Sequence, residues 1–275
     1  MGISLVSYVG GTLALESFMT QLISSISETT HLSQDVSPIP SPPIQDVSPK
    51  PMGSQVSWWL VPLVYALGYH LVLPLYFQRV DVIGQDLLPQ SGPIILAPTH
   101  RSRWDALMLP FATGRKVTGR DLRFMVTHDE VKGIQGWFIK RLGGFAIDTR
   151  RPGVGSLRHG IELLQRGEMM VIFPEGNIFR ERSVQPLKAG FARLALQATA
   201  HEDLNVQVVP ISLTYHDRFV PWRTRVQIRI GQPLSVKDYR TGQAKQDAKA
   251  LTSDLQESLQ SLLTASCEDF GLTQP

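Results

Sequence analysis

Pro93-Ile94-Ile95-Leu96-Ala97-Pro98-Thr99-His100-Arg101-Ser102-Arg103-Trp104-Asp105 is the stretch on which the fold turns. Ile94 to Ala97 form a continuous apolar run ahead of Pro98, the pattern of a short strand buried on both faces and stopped by proline. Ser102 and Asp105 have the S-x-x-D spacing of a helix N-terminus, and Ala106, Leu107, Met108 and Leu109 continue it. His100 therefore falls on a strand-to-helix loop, with Asp105 in the first turn beyond it. Loops at the carboxyl ends of strands are where open α/β sheets place their sites. A histidine takes a proton from a hydroxyl when a carboxylate on its other ring nitrogen fixes the tautomer and stabilises the cation. The pair alone also fits a strand end followed by an acid favoured by the helix macrodipole, so the rest of the chain decides.

Downstream, strands and helices alternate. Leu122–Val126, Phe145–Asp148, Met169–Phe173, Val206–Leu213 and Val226–Ile230 read as strands, with helices ending at Arg141 and spanning about 153–166 and 188–199. A last helix over 244–263 aligns Ala244, Ala248, Leu251, Leu255, Leu259 and Leu262 at packing spacing. This alternation predicts an α/β fold, a mixed, largely parallel sheet flanked by helices. Pro210, inside the run Val208-Val209-Pro210-Ile211-Ser212, predicts an edge strand or a bulge.

Upstream, Trp58 to Phe77 (WWLVPLVYALGYHLVLPLYF) is twenty residues without a formal charge. As a single helix it would be about 30 Å long, the thickness of a hydrocarbon core, with aromatic residues at both ends. Pro62, Gly68, His70 and Pro74 argue against a clean span, so the expectation is a membrane-embedded or interfacial helix over 58–78. Residues 28–57 are rich in proline and serine, with Ser37-Pro38, Ser41-Pro42 and Ser48-Pro49, and by composition read as a disordered linker. The expected organisation is an N-terminal extension over 1–57, the membrane-associated helix over 58–78, and one folded domain over 79–275.

The net charge of +3 hides an asymmetry. Residues 1–56 hold one Lys against four acids, whereas residues 101–151 hold eleven Lys and Arg against five acids. The basic half predicts an acidic partner such as phosphate or anionic lipid, and no nucleic-acid module accompanies it. Cys267 is the only cysteine, which excludes an internal disulfide and a Cys-based metal site. Residues 1–15 contain no Lys or Arg, so no secretory n-region is read, and an intracellular, reducing compartment is expected. There is no G-x-S-x-G, P-loop or H-E-x-x-H motif.

Two stretches share the logic of the His100 loop, a strand ending in polar, phosphate-compatible groups. Gly143-Gly144-Phe145-Ala146-Ile147-Asp148-Thr149-Arg150-Arg151 ends in two guanidiniums, suited to bidentate phosphate contact. Phe173-Pro174-Glu175-Gly176-Asn177-Ile178-Phe179-Arg180 ends a strand in a turn carrying a carboxylate, a glycine and an arginine. Together with His100/Asp105 and Val209-Pro210-Ile211, they resemble the four ordered blocks of the 1-acylglycerol-3-phosphate acyltransferase (PlsC-like) glycerolipid acyltransferases. These blocks are H-x-x-x-x-D, G-x-x-x-x-x-R (Gly144, Arg150), F-P-E-G in full, and V-P-I, over roughly residues 80–235.

The resemblance implies transfer of a fatty acyl group from an acyl thioester, acyl-CoA or acyl carrier protein, to a lysophospholipid hydroxyl. No metal or resident cofactor is implied. His100 would be the base and Asp105 its orienter; Arg150, Glu175, Gly176 and Arg180 would meet substrate; backbone N–H groups near Glu175-Gly176 would receive the oxyanion. Membrane lipids are the implied partners, at the cytoplasmic face, peripherally or by a single pass. The chain departs from the family at Thr99, where Asn is usual, and after Gly176, where Asn177-Ile178-Phe179 stands in place of Thr-Arg-Ser.

Overall fold

The computed structural model describes residues 56–127, 133–147, 154–200 and 204–272. The N-terminal extension, up to residue 55, lies outside them, and so does Arg150.

A helical run opens the described chain: α1 (Leu60–Leu67), a π turn (Gly68–Val72) and α2 (Leu73–Tyr76). There follow β1 (Arg79–Ile83), β2 (Ile94–Pro98), α3 (Asp105–Thr113), α4 (Arg115–Thr118), β3 (Leu122–Thr127) and α5 (Gly133–Arg141). After these come β4 (Phe145–Ile147), α6 (Val154–Gln165), β5 (Met169–Val171), α7 (Gly190–Ala200), β6 (Gln207–Tyr215), β7 (Arg225–Ile230), β8 (Leu234–Ser235) and α8 (Ala244–Phe270).

The strands form one mixed sheet in the order β1-β7-β6-β2-β5-β3-β4, with β8 also paired to β6. β6 runs antiparallel to β7 and β8, and the remaining pairs are parallel. This is the mixed, largely parallel arrangement expected. β2 lies at the centre between β5 and β6, and all five of its residues are buried, as a fully apolar run in a parallel sheet requires. Its carboxyl end delivers His100, and the end of neighbouring β5 delivers Glu175. α6, α7 and α8 supply much of one core, where Leu163, Leu164, Phe191, Leu194, Leu251, Leu255 and Leu259 pack on Ile95, Met170 and Val208. Along α8 the buried leucine after Leu259 is Leu263, one residue beyond the expected Leu262.

Two expectations are corrected. β6 is not an edge strand: Pro210 is paired to Ala97 of β2 and lies inside the sheet. It sits where the other neighbour of β6 changes from β8, paired at Gln207 and Val208, to β7, paired from Ile211 onward. Its carbonyl accepts from Gly231 N–H in that gap, so the N–H that proline lacks costs no ladder bond.

Nor is 58–77 a single α-helix. The run divides into pieces of 8, 5 and 4 residues, and no helix among the described residues is long and apolar enough to cross a membrane. The cause is Pro74, whose missing N–H and ring would break an α-helical turn around His70. A π turn, with Leu73 N–H donating to Gly68 O, adds a residue. Pro74 then falls at the start of the last turn, where no donor is needed.

Candidate active site

Asp105 is the first residue of α3, and its own N–H donates to Ser102 O, 3.1 Å. Its carboxylate folds back over the loop. Oδ2 accepts from the N–H groups of Arg101 (2.7 Å) and Ser102 (2.9 Å) and lies 2.9 Å from His100 Nδ1. Oδ1 accepts from the Tyr215 hydroxyl at 2.7 Å. The Asp105 side chain is wholly buried and that of His100 is 19% exposed. An ionised carboxylate only accepts, so Nδ1 carries the imidazole proton and Nε2 presents a lone pair. Nε2 has no hydrogen-bond partner among the described residues. The ring lies flat on Phe173, centroids 3.9 Å apart, which fixes its plane.

A second carboxylate ties the β2 and β5 loops together. Glu175 Oε2 accepts from His100 N–H (2.8 Å) and from Arg101 Nη1 (2.8 Å), while Oε1 accepts from Arg101 Nη1 (3.0 Å) and Gln185 N–H (2.9 Å). Arg101 also donates to the carbonyls of Phe179 and Ser183, and both side chains of the Arg101–Glu175 pair are buried. Glu175, whose sequence position suits either a substrate contact or a brace for the turn, has these internal partners on both carboxylate oxygens. Thr99, the departure from the family asparagine, is buried and accepts from Leu213 N–H at 2.9 Å, zipping the loop onto β6.

Gly176 takes φ +74° in an exposed turn, where a side chain would be strained and would run into Lys188. Its N–H donates to Phe173 O, which removes that group from the expected oxyanion donors. Arg180 is exposed and lies over the Phe219 ring, 5.6 Å from its centroid. The preceding residue, Phe179, donates its N–H to His100 O at 2.8 Å, so the Arg180 segment is laced to the histidine loop. Arg150 and Asp148 lie outside the described residues.

Sequence reasoning missed Arg101 and Tyr215. Arg101 stands without an assigned role between His100 and Ser102, and Tyr215 lies two residues beyond the strand read as Val206–Leu213, which in the structure extends to it. Burial holds the Tyr215 phenol well above its usual titration range, and the neighbouring Asp105 charge and hydrogen bond add to this. Tyr215 therefore remains a donor.

A loop histidine leaning on a buried aspartate at the end of a central parallel strand, with a glutamate from the next strand bracing the loop, can be compared with known proteins. A family model described as Acyltransferase matches residues 79–214, a span that contains His100, Asp105, Glu175 and Arg180. Residues 79–214 form an acyltransferase-family domain. The 1-acyl-sn-glycerol-3-phosphate acyltransferase of Bacillus subtilis is 26% identical over 187 residues, 66% of this chain and 87% of that protein. The protein of the same name from Streptococcus pneumoniae is 28% identical over 160 residues, 56% of this chain and 55% of that protein. The chain thus spans little more than half the length of that relative. The fold recurs in the crystal structure of the 1-acyl-sn-glycerophosphate (LPA) acyltransferase, PlsC, from Thermotoga maritima. There the TM-score is 0.57 at 18% identity, covering 75% of this chain and 79% of that one.

Proposed function

We propose that this acyltransferase moves a fatty acyl group from an acyl thioester to a free hydroxyl of a lysophospholipid, with 1-acylglycerol-3-phosphate the first acceptor and phosphatidic acid the product. The observation that carries the reading is the His100 Nδ1 to Asp105 Oδ2 contact of 2.9 Å, with Nε2 left open as a base. The acceptor oxygen attacks the thioester carbonyl carbon while its proton passes to Nε2. Asp105 stabilises the resulting imidazolium. The tetrahedral intermediate expels the thiolate, which takes the proton from Nε2 and leaves as thiol. General-base help of about 10²–10⁴-fold corresponds to roughly 3–5 kcal/mol of barrier. The reaction so written uses no metal and no resident cofactor; acyl-CoA or acyl carrier protein enters as co-substrate.

Two further parts belong to the proposal. Arg180, and Arg150 by motif order, would meet the acceptor's phosphate through bidentate contacts. The run 58–76 would lie in the interface at the cytoplasmic face, since Trp59, Leu63, Leu67, Leu71 and Leu75 recur every fourth residue and are all exposed.

The test is purified enzyme, a panel of lysolipids and a labelled acyl thioester, with products separated. Esterified lysophosphatidate, lost in His100→Ala, is expected. Free fatty acid formed equally with and without acceptor would make the chain a thioesterase instead, and full transfer by folded His100→Ala would remove the base assignment.

A further inference from the structure

Four donors converge on Asp105, and their distribution is uneven. His100 Nδ1 and the N–H groups of Arg101 and Ser102 all meet Oδ2, whereas Tyr215 alone meets Oδ1. Among the described residues no lysine or arginine side chain is hydrogen-bonded to this wholly buried carboxylate. The guanidinium next door, Arg101, is turned to Glu175. The three donors on Oδ2 belong to the loop that carries Asp105 and shift with it. The donor on Oδ1 adds a second fixed point on the carboxylate plane, anchored in the sheet.

The three Oδ2 donors come from one short loop, while Tyr215 comes from β6, so it supplies a reference outside the loop. Tyr215 is 6% exposed, and its ring lies 6.3 Å from that of Phe77, which in turn packs edge-on against Trp104 at 5.2 Å. The hydroxyl is held by a packed wall.

We propose that Tyr215 is a positioning residue for the transfer, its hydroxyl fixing Asp105 Oδ1 so that Oδ2 stays on His100 Nδ1 and Nε2 stays a base. Without that donor a buried anion loses a quarter of its hydrogen bonds and its orientation. A carboxylate that swings away releases the Nδ1 proton to the other tautomer. One that captures a proton donates to Nδ1 instead of accepting. Either way the imidazole proton moves to Nε2, and the acceptor hydroxyl finds no lone pair. The inference rests on His100 being the base.

Tyr215→Phe keeps the ring and its packing and deletes the hydroxyl. The expected result is a ten- to hundredfold fall in kcat, with the KM values for thioester and lysolipid each within about twofold, because Tyr215 is buried behind Asp105. In an Asp105→Asn background the same change should cost less than about twofold, since residues acting as one unit are not additive. Tyr215→His, which retains a ring N–H, should recover part of the loss. Should Tyr215→Phe not purify folded, the comparison is made with Tyr215→His in the two backgrounds. Wild-type kcat in Tyr215→Phe, an equal loss in both backgrounds, or a loss carried by both KM values overturns the inference. A normal Tyr215→Phe beside an inactive His100→Ala removes the positioning role alone; an active His100→Ala removes the base assignment with it.

Discussion

His100→Ala is expected to lower turnover by about 10²–10⁴-fold, the size of a lost general base, with Asp105→Asn no worse. The double variant should fall little below His100→Ala, because the two side chains move one proton between them. Single-turnover transfer with circular dichroism on each variant checks this. Arg101 and Glu175 carry a different expectation. They are buried against one another, so Arg101→Met or Glu175→Gln leaves an unmatched group and should cost roughly 3–5 kcal/mol in denaturant unfolding. The kinetic loss should follow from the loop coming adrift at His100 N–H, so kcat should fall for both variants with neither KM singled out. His100, Asp105 and Glu175 were legible because chemistry demands those residue types at short, ordered spacings. The Arg101–Glu175 pair was not. Its partners are 74 positions apart, and a pairing over that distance exists only once β2 and β5 lie side by side.

The helical run before β1 presents two faces, and substitutions should separate them. Leu60 and Leu73 are buried, whereas Leu63, Leu67 and Leu71 are exposed. Leu73→Ala should destabilise the fold by about 2–5 kcal/mol. Leu67→Glu with Leu71→Glu should leave the melting temperature within a few degrees while abolishing sedimentation with anionic liposomes. Equal liposome binding by that variant would place the attachment elsewhere. Deleting residues 1–56 should leave binding largely unchanged. Deletion through Phe77 should also unsettle the site, because Tyr76 and Phe77 pack on Trp104, next to Asp105. The apolar character of this element was plain in the sequence. Its division was not, because a π turn answers a hydrogen-bonding problem set by Pro74 and by what the run packs against. Pro210 teaches the same lesson from the other side: proline in a strand signals a missing ladder bond, and a change of neighbour satisfies that as well as an edge does.

At the scale of the whole molecule, the fold that brings His100, Glu175 and Tyr215 together also buries phenols, and this sets how the protein should meet alkali. Burial pushes Tyr65 up to about 12, with the Asp121 charge adding to it, and holds Tyr215 well above its usual range. Below about pH 10 the folded and unfolded chains both keep these protons, so the contribution to stability is fully present. Above it the unfolded chain releases them and the folded chain does not, so stability falls as pH rises, by up to about 1.4 kcal/mol per pH unit for each phenol. For Tyr65 the fall should end near pH 12, where the folded protein also ionises. Urea unfolding at intervals from pH 9 to 12 measures the slope, and Tyr65→Phe and Tyr215→Phe should each reduce it by about one proton. For Tyr215 the two readouts then run in opposite directions. The Phe variant should resist alkali better than the parent while transferring acyl groups more slowly at neutral pH. A variant that loses both activity and alkaline resistance would mean that the Tyr215 hydroxyl serves the packing of the sheet rather than the carboxylate of Asp105.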